Sequence, residues 1–437
     1  YKVRLMREMG ANGYRTSHYP QAEALMDALD EAGFIVMDET RWFSSAPAHM
    51  AELAMLVKRD RNHPCVFFWS VGNEEFVFTT DQGRRIAASM MALVAKLDPT
   101  RPVTAACDRP DKATIYDDVD VIGVNYNLQH FDMLHEHFPD KAIFSSENCA
   151  TGTTRGWYND DDPAHGYISA YDAIPRGTGF MARELTWKFI AERDWILGGY
   201  QWIAFEHRGE TVWPRLCSQS GAIDLFLQKK DAFWQNKSHW TTEPMVHLLP
   251  HWNFRGREGE PIRVSVYTNC TAVELFLDDK SLGTHEVEPY GHAEWTVPYA
   301  PGRLRAVGYR DDQPVCEDSH ETTGRAVRLH LSCDNPEDLT GNGRNVVFFA
   351  CSCLDAAGRE VPDAAEEVRF AVNHCGKITA TGSDVSDHTP LSSLTRRMRA
   401  GRITVAVQMA KAEAGETLRL YAESDTLESG SLAVQLS

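Results

Sequence analysis

Cys65-Val66-Phe67-Phe68-Trp69-Ser70-Val71-Gly72-Asn73-Glu74-Glu75 is the stretch whose reading decides the fold. Its first seven residues are a β-branched and aromatic run without polar alternation, as expected of a strand buried on both faces. The run stops at Gly72 and presents an amide and carboxylates just past its last residue. In a β/α barrel, side chains that do chemistry sit at the C-terminal ends of the strands, which is where Asn73 and Glu74 fall.

Working outward, residues 1 to about 244 alternate short apolar strands with helices. Expected strands are Tyr14–His18, Phe34–Asp38, Pro102–Cys107, Val119–Asn125, Ala142–Ser146 and Gly199–Phe205, besides Cys65–Val71. Between them lie amphipathic stretches such as Gln21 to Ala32, stopped by Gly33, and Gly83 to Leu97, stopped by Asp98-Pro99. Repeated strand–helix alternation implies βαβ units and a parallel sheet. A doubly wound sheet fits worse, because no Gly-rich phosphate loop follows a first strand. The chain opens inside an amphipathic helix ended by Gly10, without Met or a signal peptide. The expectation is therefore a (β/α)8 barrel lacking its first strand, which would precede Tyr1.

After Trp240 the pattern becomes short alternating strands separated by Asp278-Asp279, Pro301-Gly302 and Asp311-Asp312. Two all-β immunoglobulin-like sandwiches are expected. The domains read as 1–244 (barrel), 245–323 (first sandwich) and 324–437 (second sandwich), with a loop at Asp384 to Leu394.

A 437-residue chain with 43% hydrophobic and 24% charged residues reads as globular, with room for two or three domains. Its net charge of −18 argues against nucleic acid and anionic membranes, and no run of 18 apolar residues is present. Ten scattered cysteines read as buried thiols, not as a disulfide framework. They favour a reducing compartment and hence the cytoplasm; a periplasmic or secreted location stays open without the upstream residues. Homo-oligomerisation is open as well.

A second expected strand, Ala142–Ser146, ends in Glu147, so two carboxylates stand on two strand ends of one barrel. That is the equipment for glycoside cleavage. Glu74 suits a general acid, whose pKa must be raised by burial or a like charge, and Glu75 is its rival. Glu147 suits a nucleophile, which must stay ionised among hydrogen-bond donors. Arg15 could hold that nucleophile ionised, and His18 could bind a hydroxyl. Tyr126 could donate to the nucleophile, and Trp202 could floor a sugar site. Asp38, with Glu39, could bind substrate or pair with Arg15; the ion pair is the favoured reading.

These segments together resemble glycoside hydrolase family 2, the β-galactosidases and β-glucuronidases. The resemblance rests on Asn12-Gly13-Tyr14-Arg15-Thr16-Ser17-His18-Tyr19-Pro20, Val36-Met37-Asp38-Glu39, Arg61-Asn62-His63-Pro64, Trp69–Glu74 and Ser146-Glu147. It implies that Glu74, ending barrel strand four, is the acid/base and that Glu147, ending strand seven, is the nucleophile. It also implies a 2-hydroxyl contact for Asn73, a sugar hydroxyl contact for His18, pairing with the nucleophile for Tyr126 and a subsite floor for Trp202. The magnesium-ligand segment of the large enterobacterial-type β-galactosidases has no match after Thr40, so no cofactor and no catalytic metal are expected. Asn236-Lys237 are adjacent and lack the Asn-x-Lys spacing with which β-glucuronidases bind the sugar carboxylate. The expected activity is retaining exo-hydrolysis of β-D-galactosides, with the carboxyl groups roughly 5 Å apart instead of the roughly 9 Å of inversion. A β-glucuronidase, or a non-catalytic carbohydrate-binding protein on the same barrel, is the alternative. The C-terminal sandwiches are expected to brace the barrel.

Overall fold

A computed structural model of the chain describes residues 1–171 and 181–437. By compactness it divides into two units. The first comprises Tyr1–Thr151, the described part of Ala173–Ala204, and His239–Thr241; the second comprises the described part of Gly152–Asp172, Phe205–Ser238 and Thr242–Ser437.

The first unit is a near-closed parallel barrel of seven strands: β1 Gly13–Arg15, β2 Ile35–Glu39, β3 Val66–Asn73, β4 Val103–Cys107, β5 Val121–Asn125, β6 Ile143–Cys149 and β7 Ile196–Trp202. They lie side by side in chain order, β1 and β7 forming the two edges. Helix α1 (Lys2–Glu8) precedes β1; α2 (Glu23–Glu31), α3 (Pro47–Asp60), α4 (Asp81–Leu97), α5 (Phe131–His137) and α6 (Arg183–Ala191) fall between strands. All seven expected strands are present, each displaced from its expected bounds by a few residues. In β3 every residue from Phe68 to Gly72 is buried, as the absence of alternation required, but Phe67 is 54% exposed, so the expected burial on both faces holds only from Phe68 onward.

Met37, Phe68, Ala106, Val121 and Phe144 form a buried cluster joined by Tyr200. Phe68 stacks on Phe144 at 5.3 Å, and the Tyr200 ring meets Phe144 edge-on at 6.0 Å. Such rings are worth several kcal/mol of apolar burial together, roughly 1.5–3 kcal/mol for each fully buried side chain. Two glycines are dictated by contact. A Cβ on Gly72 would lie 2.9 Å from Cβ of Phe43, and one on Gly13 would lie 3.1 Å from the Tyr200 ring. Trp69 is buried, and its indole N–H donates to Asp98 at 3.0 Å, so the strand's largest ring carries no orphaned donor.

The second unit carries four antiparallel sheets. Strands β8 (Val246–Leu249), β9 (Pro261–Thr268), β10 (Ala272–Leu277), β11 (Lys280–Glu286), β12 (His292–Pro298), β13 (Arg303–Arg310) and β14 (Gln313–Glu321) form sheets ordered β12-β9-β8 and β11-β10-β13-β14. Val264, Val266, Val273, Leu275, Trp295 and Leu304 belong to their common core. Strands β15 (Ala326–Cys333), β16 (Val346–Asp355), β17 (Glu367–Val372), β18 (Gly376–Gly382), β19 (Thr395–Arg397), β20 (Arg402–Met409), β21 (Thr417–Glu423) and β22 (Gly430–Gln435) form sheets ordered β15-β16-β20-β18 and β19-β17-β21-β22. Val347, Phe349, Val405, Leu418 and Leu420 belong to that second core. Both pairs of sheets follow the inward–outward alternation of a two-layer sandwich.

Segments 152–171 and 205–238 pack within this unit through buried polar links. Lys230 pairs with Glu206 at 2.9 Å, and Arg155 reaches Asp224 at 2.8 Å and the carbonyl of Ser383 at 3.0 Å. Gln228 donates to the Thr404 hydroxyl at 2.7 Å. All ten cysteines are free thiols, and Cys351 and Cys353 are core residues of β16.

Candidate active site

At the C-terminal ends of β1, β2, β3, β5 and β6 one guanidinium organises the surroundings. Arg15 ends β1 and is buried. Its Nη1 donates to Glu147 Oε1 at 2.6 Å and to the Ser146 carbonyl at 3.0 Å. Its Nη2 donates to both carboxylate oxygens of Glu39, at 2.9 and 3.1 Å, and to Asn73 Oδ1 at 2.7 Å. Its Nε completes a forked pair with Glu39 at 3.2 Å. Burial by itself would favour the neutral guanidine, but Glu39 and Glu147 outweigh it and hold the arginine charged. Burial would likewise raise the Glu39 carboxyl; Arg15, His18 and the Ser70 hydroxyl (2.7 Å) bring it down to about 2.

Glu147 is buried on β6 between two donors, Arg15 on Oε1 and the Tyr126 hydroxyl on Oε2 at 2.9 Å. Both oxygens of the carboxylate are thereby occupied by hydrogen-bond donors. Tyr126 is positioned by a local kink: it has φ 55°, and its N–H donates to the Glu147 carbonyl at 2.7 Å.

Glu74 follows β3 and has φ 53°, in the left-handed region that bulky side chains seldom occupy. Its N–H still pairs with the Ala106 carbonyl of β4 at 2.9 Å, so the backbone leaves the sheet at this residue. Burial raises the Glu74 carboxyl, with Glu147 and Asp108 adding repulsion; a hydrogen bond from Asn125 and the charge of Arg15 oppose the rise. Asn125 Nδ2 donates both to Glu74 Oε1 at 2.9 Å and to Asn73 Oδ1 at 3.0 Å. Its own Oδ1 accepts from the Ser146 hydroxyl at 2.7 Å, which orients the amide. A continuous chain thus runs Glu74–Asn125–Asn73–Arg15–Glu147. The two carboxyls are held in unlike settings, one desolvated and one clamped by donors.

The structure brings Arg15, Asn73, Glu74, Tyr126 and Glu147 together, with His18 and Trp202 alongside. His18 Nδ1 lies 2.8 Å from Glu39 Oε1. A carboxylate only accepts, so the proton belongs on Nδ1 and Nε2 is left for another partner. The His18 ring stacks on Trp202, which ends β7, at 5.4 Å and 18°. Glu75 heads the turn Phe76–Thr79; burial raises its carboxyl and the charge of Arg41 opposes the rise.

Asp38 requires a correction. The carboxylate that meets Arg15 is Glu39; Asp38 is 0% exposed and accepts from the Thr16 hydroxyl at 3.1 Å. Successive strand residues point to opposite faces, so only one of the two can face the barrel mouth. Burial and the neighbouring Asp60 raise the Asp38 carboxyl well above its ordinary value, which suits a protonated structural group. Sequence reasoning also left Asn125 and Ser70 without a role. Their signal was present, since Asn125 ends an apolar run as Asn73 does, but nothing local showed that it faces Glu74.

Comparison with known proteins places the fold in a family. Residues 2–151 match the model for "Glycosyl hydrolases family 2, TIM barrel domain", and residues 329–433 match "Glycoside hydrolase family 2 C-terminal domain 5". Residues 259–316, between them, match a domain of unknown function. Among curated relatives, a β-galactosidase from Bacteroides ovatus is 30% identical over 451 residues, covering 88% of this chain and 53% of that protein. A putative β-glucuronidase from Formosa agariphila is 29% identical over 424 residues, covering 85% of this chain and 40% of that protein. A crystal structure of a β-glycosidase from Bacteroides vulgatus superposes with a TM-score of 0.86 at 26% identity, covering 100% of this chain and 61% of that one. The chain spans about half the length, or less, of these two curated relatives. With its barrel and its last sandwich both matched, the chain belongs to glycoside hydrolase family 2.

Proposed function

We propose that this chain carries the catalytic barrel of a retaining exo-β-glycosidase, with terminal β-D-galactosides as substrates. Glu147 attacks the anomeric carbon and forms a glycosyl ester as the bond to the aglycone oxygen breaks. Glu74 gives its proton to that departing oxygen. Glu74, now ionised, takes a proton from water, whose oxygen attacks the same carbon, releases the sugar and restores Glu147. Asn73 and His18 Nε2 contact sugar hydroxyls, and Trp202 forms the floor of the subsite. Arg15 and Tyr126 hold Glu147 in place, one on each carboxylate oxygen. Glu39 acts through Arg15 and is a positioning residue.

The observation that carries this reading is the unlike setting of two strand-end carboxyls within one hydrogen-bond chain. Glu74 is raised by burial and repulsion, and Glu147 is clamped between a guanidinium and a phenol. The choice of galactose rests on the adjacency of Asn236 and Lys237. The name of the Bacteroides ovatus relative points the same way. The second reading, a β-glucuronidase, is favoured by the names of the relatives from Formosa agariphila and Bacteroides fragilis.

The test is hydrolysis of paired aryl β-galactosides and aryl β-glucuronides by the purified protein. Glu147→Gln should abolish turnover of whichever substrate is cleaved, and a 2-fluoro glycoside should label Glu147. Full activity of Glu147→Gln refutes the nucleophile, and faster cleavage of the glucuronide refutes the galactoside assignment.

A further inference from the structure

The second sandwich holds a cluster that the barrel chemistry does not use. His374 Nε2, Cys375 Sγ and Glu416 Oε2 lie at its end, every pair of ligand atoms within 4.8 Å. The separations are 3.2 Å from His374 to Glu416, 3.7 Å from Cys375 to His374 and 3.9 Å from Cys375 to Glu416. A tetrahedral zinc with its usual bond lengths to nitrogen, oxygen and sulfur has face edges of about 3.4 Å (N–O) and about 3.6 Å (N–S and O–S). The three atoms therefore already outline one face of such a site, to within about 0.3 Å.

The fold builds this face from two fixed pieces. His374 and Cys375 occupy the turn between β17 and β18, closed by Gly376 N–H to the Asn373 carbonyl at 3.2 Å. Asn373 ties the turn to β21: its N–H donates to the Arg419 carbonyl at 3.1 Å, and its Nδ2 donates to the Thr417 carbonyl at 2.9 Å. Glu416 stands directly before β21. Its Oε1 accepts from the Glu413 N–H at 2.8 Å, which turns Oε2 towards the histidine and the thiol. Asn373 Nδ2 also lies 3.7 Å from Cys375 Sγ, an amide donor of the kind that supports a metal-bound thiolate. Cys375 is buried while the His374 side chain is 80% exposed, so the histidine side of the face is open to solvent.

We propose that His374, Cys375 and Glu416 form a binding site for a single divalent cation of borderline softness, zinc above all. A neutral imidazole, a thiolate and a carboxylate offer two negative charges to a dication, so the loaded site is neutral. Binding releases the thiol proton now donated to the Thr417 carbonyl at 3.5 Å. A nitrogen–sulfur–oxygen set selects zinc over magnesium or calcium, which require oxygen ligands.

The test titrates the chelator-treated chain with cobalt(II) and follows the near-ultraviolet and visible spectrum. The expected result is one equivalent of cobalt with a thiolate-to-metal charge-transfer band and tetrahedral ligand-field bands, displaced by zinc. Cys375→Ser should lose the charge-transfer band, and the doubly substituted Cys270→Ser/Cys316→Ser chain, which removes the two thiols 3.5 Å apart in the first sandwich, should keep it. Because Cys375 is buried, His374→Ala and Glu416→Gln supply variants at accessible positions. Each should weaken zinc binding by at least about 100-fold, beyond what losing an outer hydrogen bond costs. Zinc should also raise the unfolding temperature of the parent chain and not that of His374→Ala. Absence of a cobalt–thiolate band, its survival in Cys375→Ser, or zinc affinity in His374→Ala within threefold of the parent overturns the site.

Discussion

Glu39→Gln removes one negative charge from the centre of the site while nearly preserving its shape. In the parent, Glu39 receives two nitrogens of Arg15, the imidazole of His18 and the hydroxyl of Ser70, with no exposure to solvent. Its carboxyl falls from 4.5 to about 2, which corresponds to about 3 kcal/mol of stability at neutral pH. Breaking a buried ion pair by removing one partner costs about 3–5 kcal/mol. Glu147 still faces Arg15 in the variant, so the lower end applies and the two routes agree at about 3 kcal/mol. The sign follows from the depressed pKa. The stabilisation is fully present above the unfolded carboxyl's value and is lost as pH falls through the folded one. The difference between parent and variant should therefore be about 3 kcal/mol at pH 7 and shrink steadily between about pH 5 and pH 2. Urea unfolding followed by tryptophan fluorescence at several pH values measures it. A difference below about 1 kcal/mol at pH 7, or one unchanged at pH 3, refutes the view that Glu39 is the ionised anchor of Arg15.

Tyr126→Phe removes the hydroxyl 2.9 Å from Glu147 Oε2; a hydrogen bond to a charged group is worth about 1.5–3 kcal/mol, so kcat should fall about 10- to 150-fold, as steady-state kinetics on an aryl glycoside would read. Asn125→Ala deletes the hydrogen bond that holds the raised Glu74 carboxyl down, so the alkaline limb of the kcat/KM profile should move to higher pH; an unmoved limb counts against Glu74 as the acid. Asp38→Asn should cost less than about 1 kcal/mol and leave kcat unchanged, because Asp38 accepts from Thr16 away from the Arg15 cluster and the amide keeps an oxygen to accept there; a large loss of activity would place Asp38 at the substrate after all.

The barrel and its carboxylates were legible because burial on both faces leaves a plain mark. Cys65–Val71 and Ala142–Ser146 read as strands without any partner, and each ends in the glutamate that the structure brings to the Arg15 cluster. Which of two neighbouring strand residues faces inward was not legible at Asp38-Glu39. A pleat of period two decides it, but β2 and β3 shift register between Val36 and Met37, and β3 and β4 shift between Ser70 and Asn73. A bulge on a partner strand leaves no trace in the strand being read. Links such as Arg155 to Asp224 and Ser383 were equally invisible, because they join irregular segments through single polar contacts that carry no periodicity.

The same reasoning explains why Arg15 could be assigned to Glu147 and to the Asp38-Glu39 pair, yet not to Asn73 or the Ser146 carbonyl. An arginine at a strand end has five donors in a fixed fork and no acceptor, so it must be met by several oxygens or remain unsatisfied when buried. Glu147 takes one of those oxygens' places; Glu39, Asn73 and the Ser146 carbonyl take the rest. Asn73 Oδ1, accepting from both Arg15 and Asn125, has no lone pair left over for a third strong donor. Under the proposed mechanism a sugar hydroxyl would therefore meet its Nδ2, with Asn73 as the donor. Asn73→Asp keeps the acceptor and forfeits that donor, which makes it the substitution that separates Asn73's grip on Arg15 from its contact with the sugar.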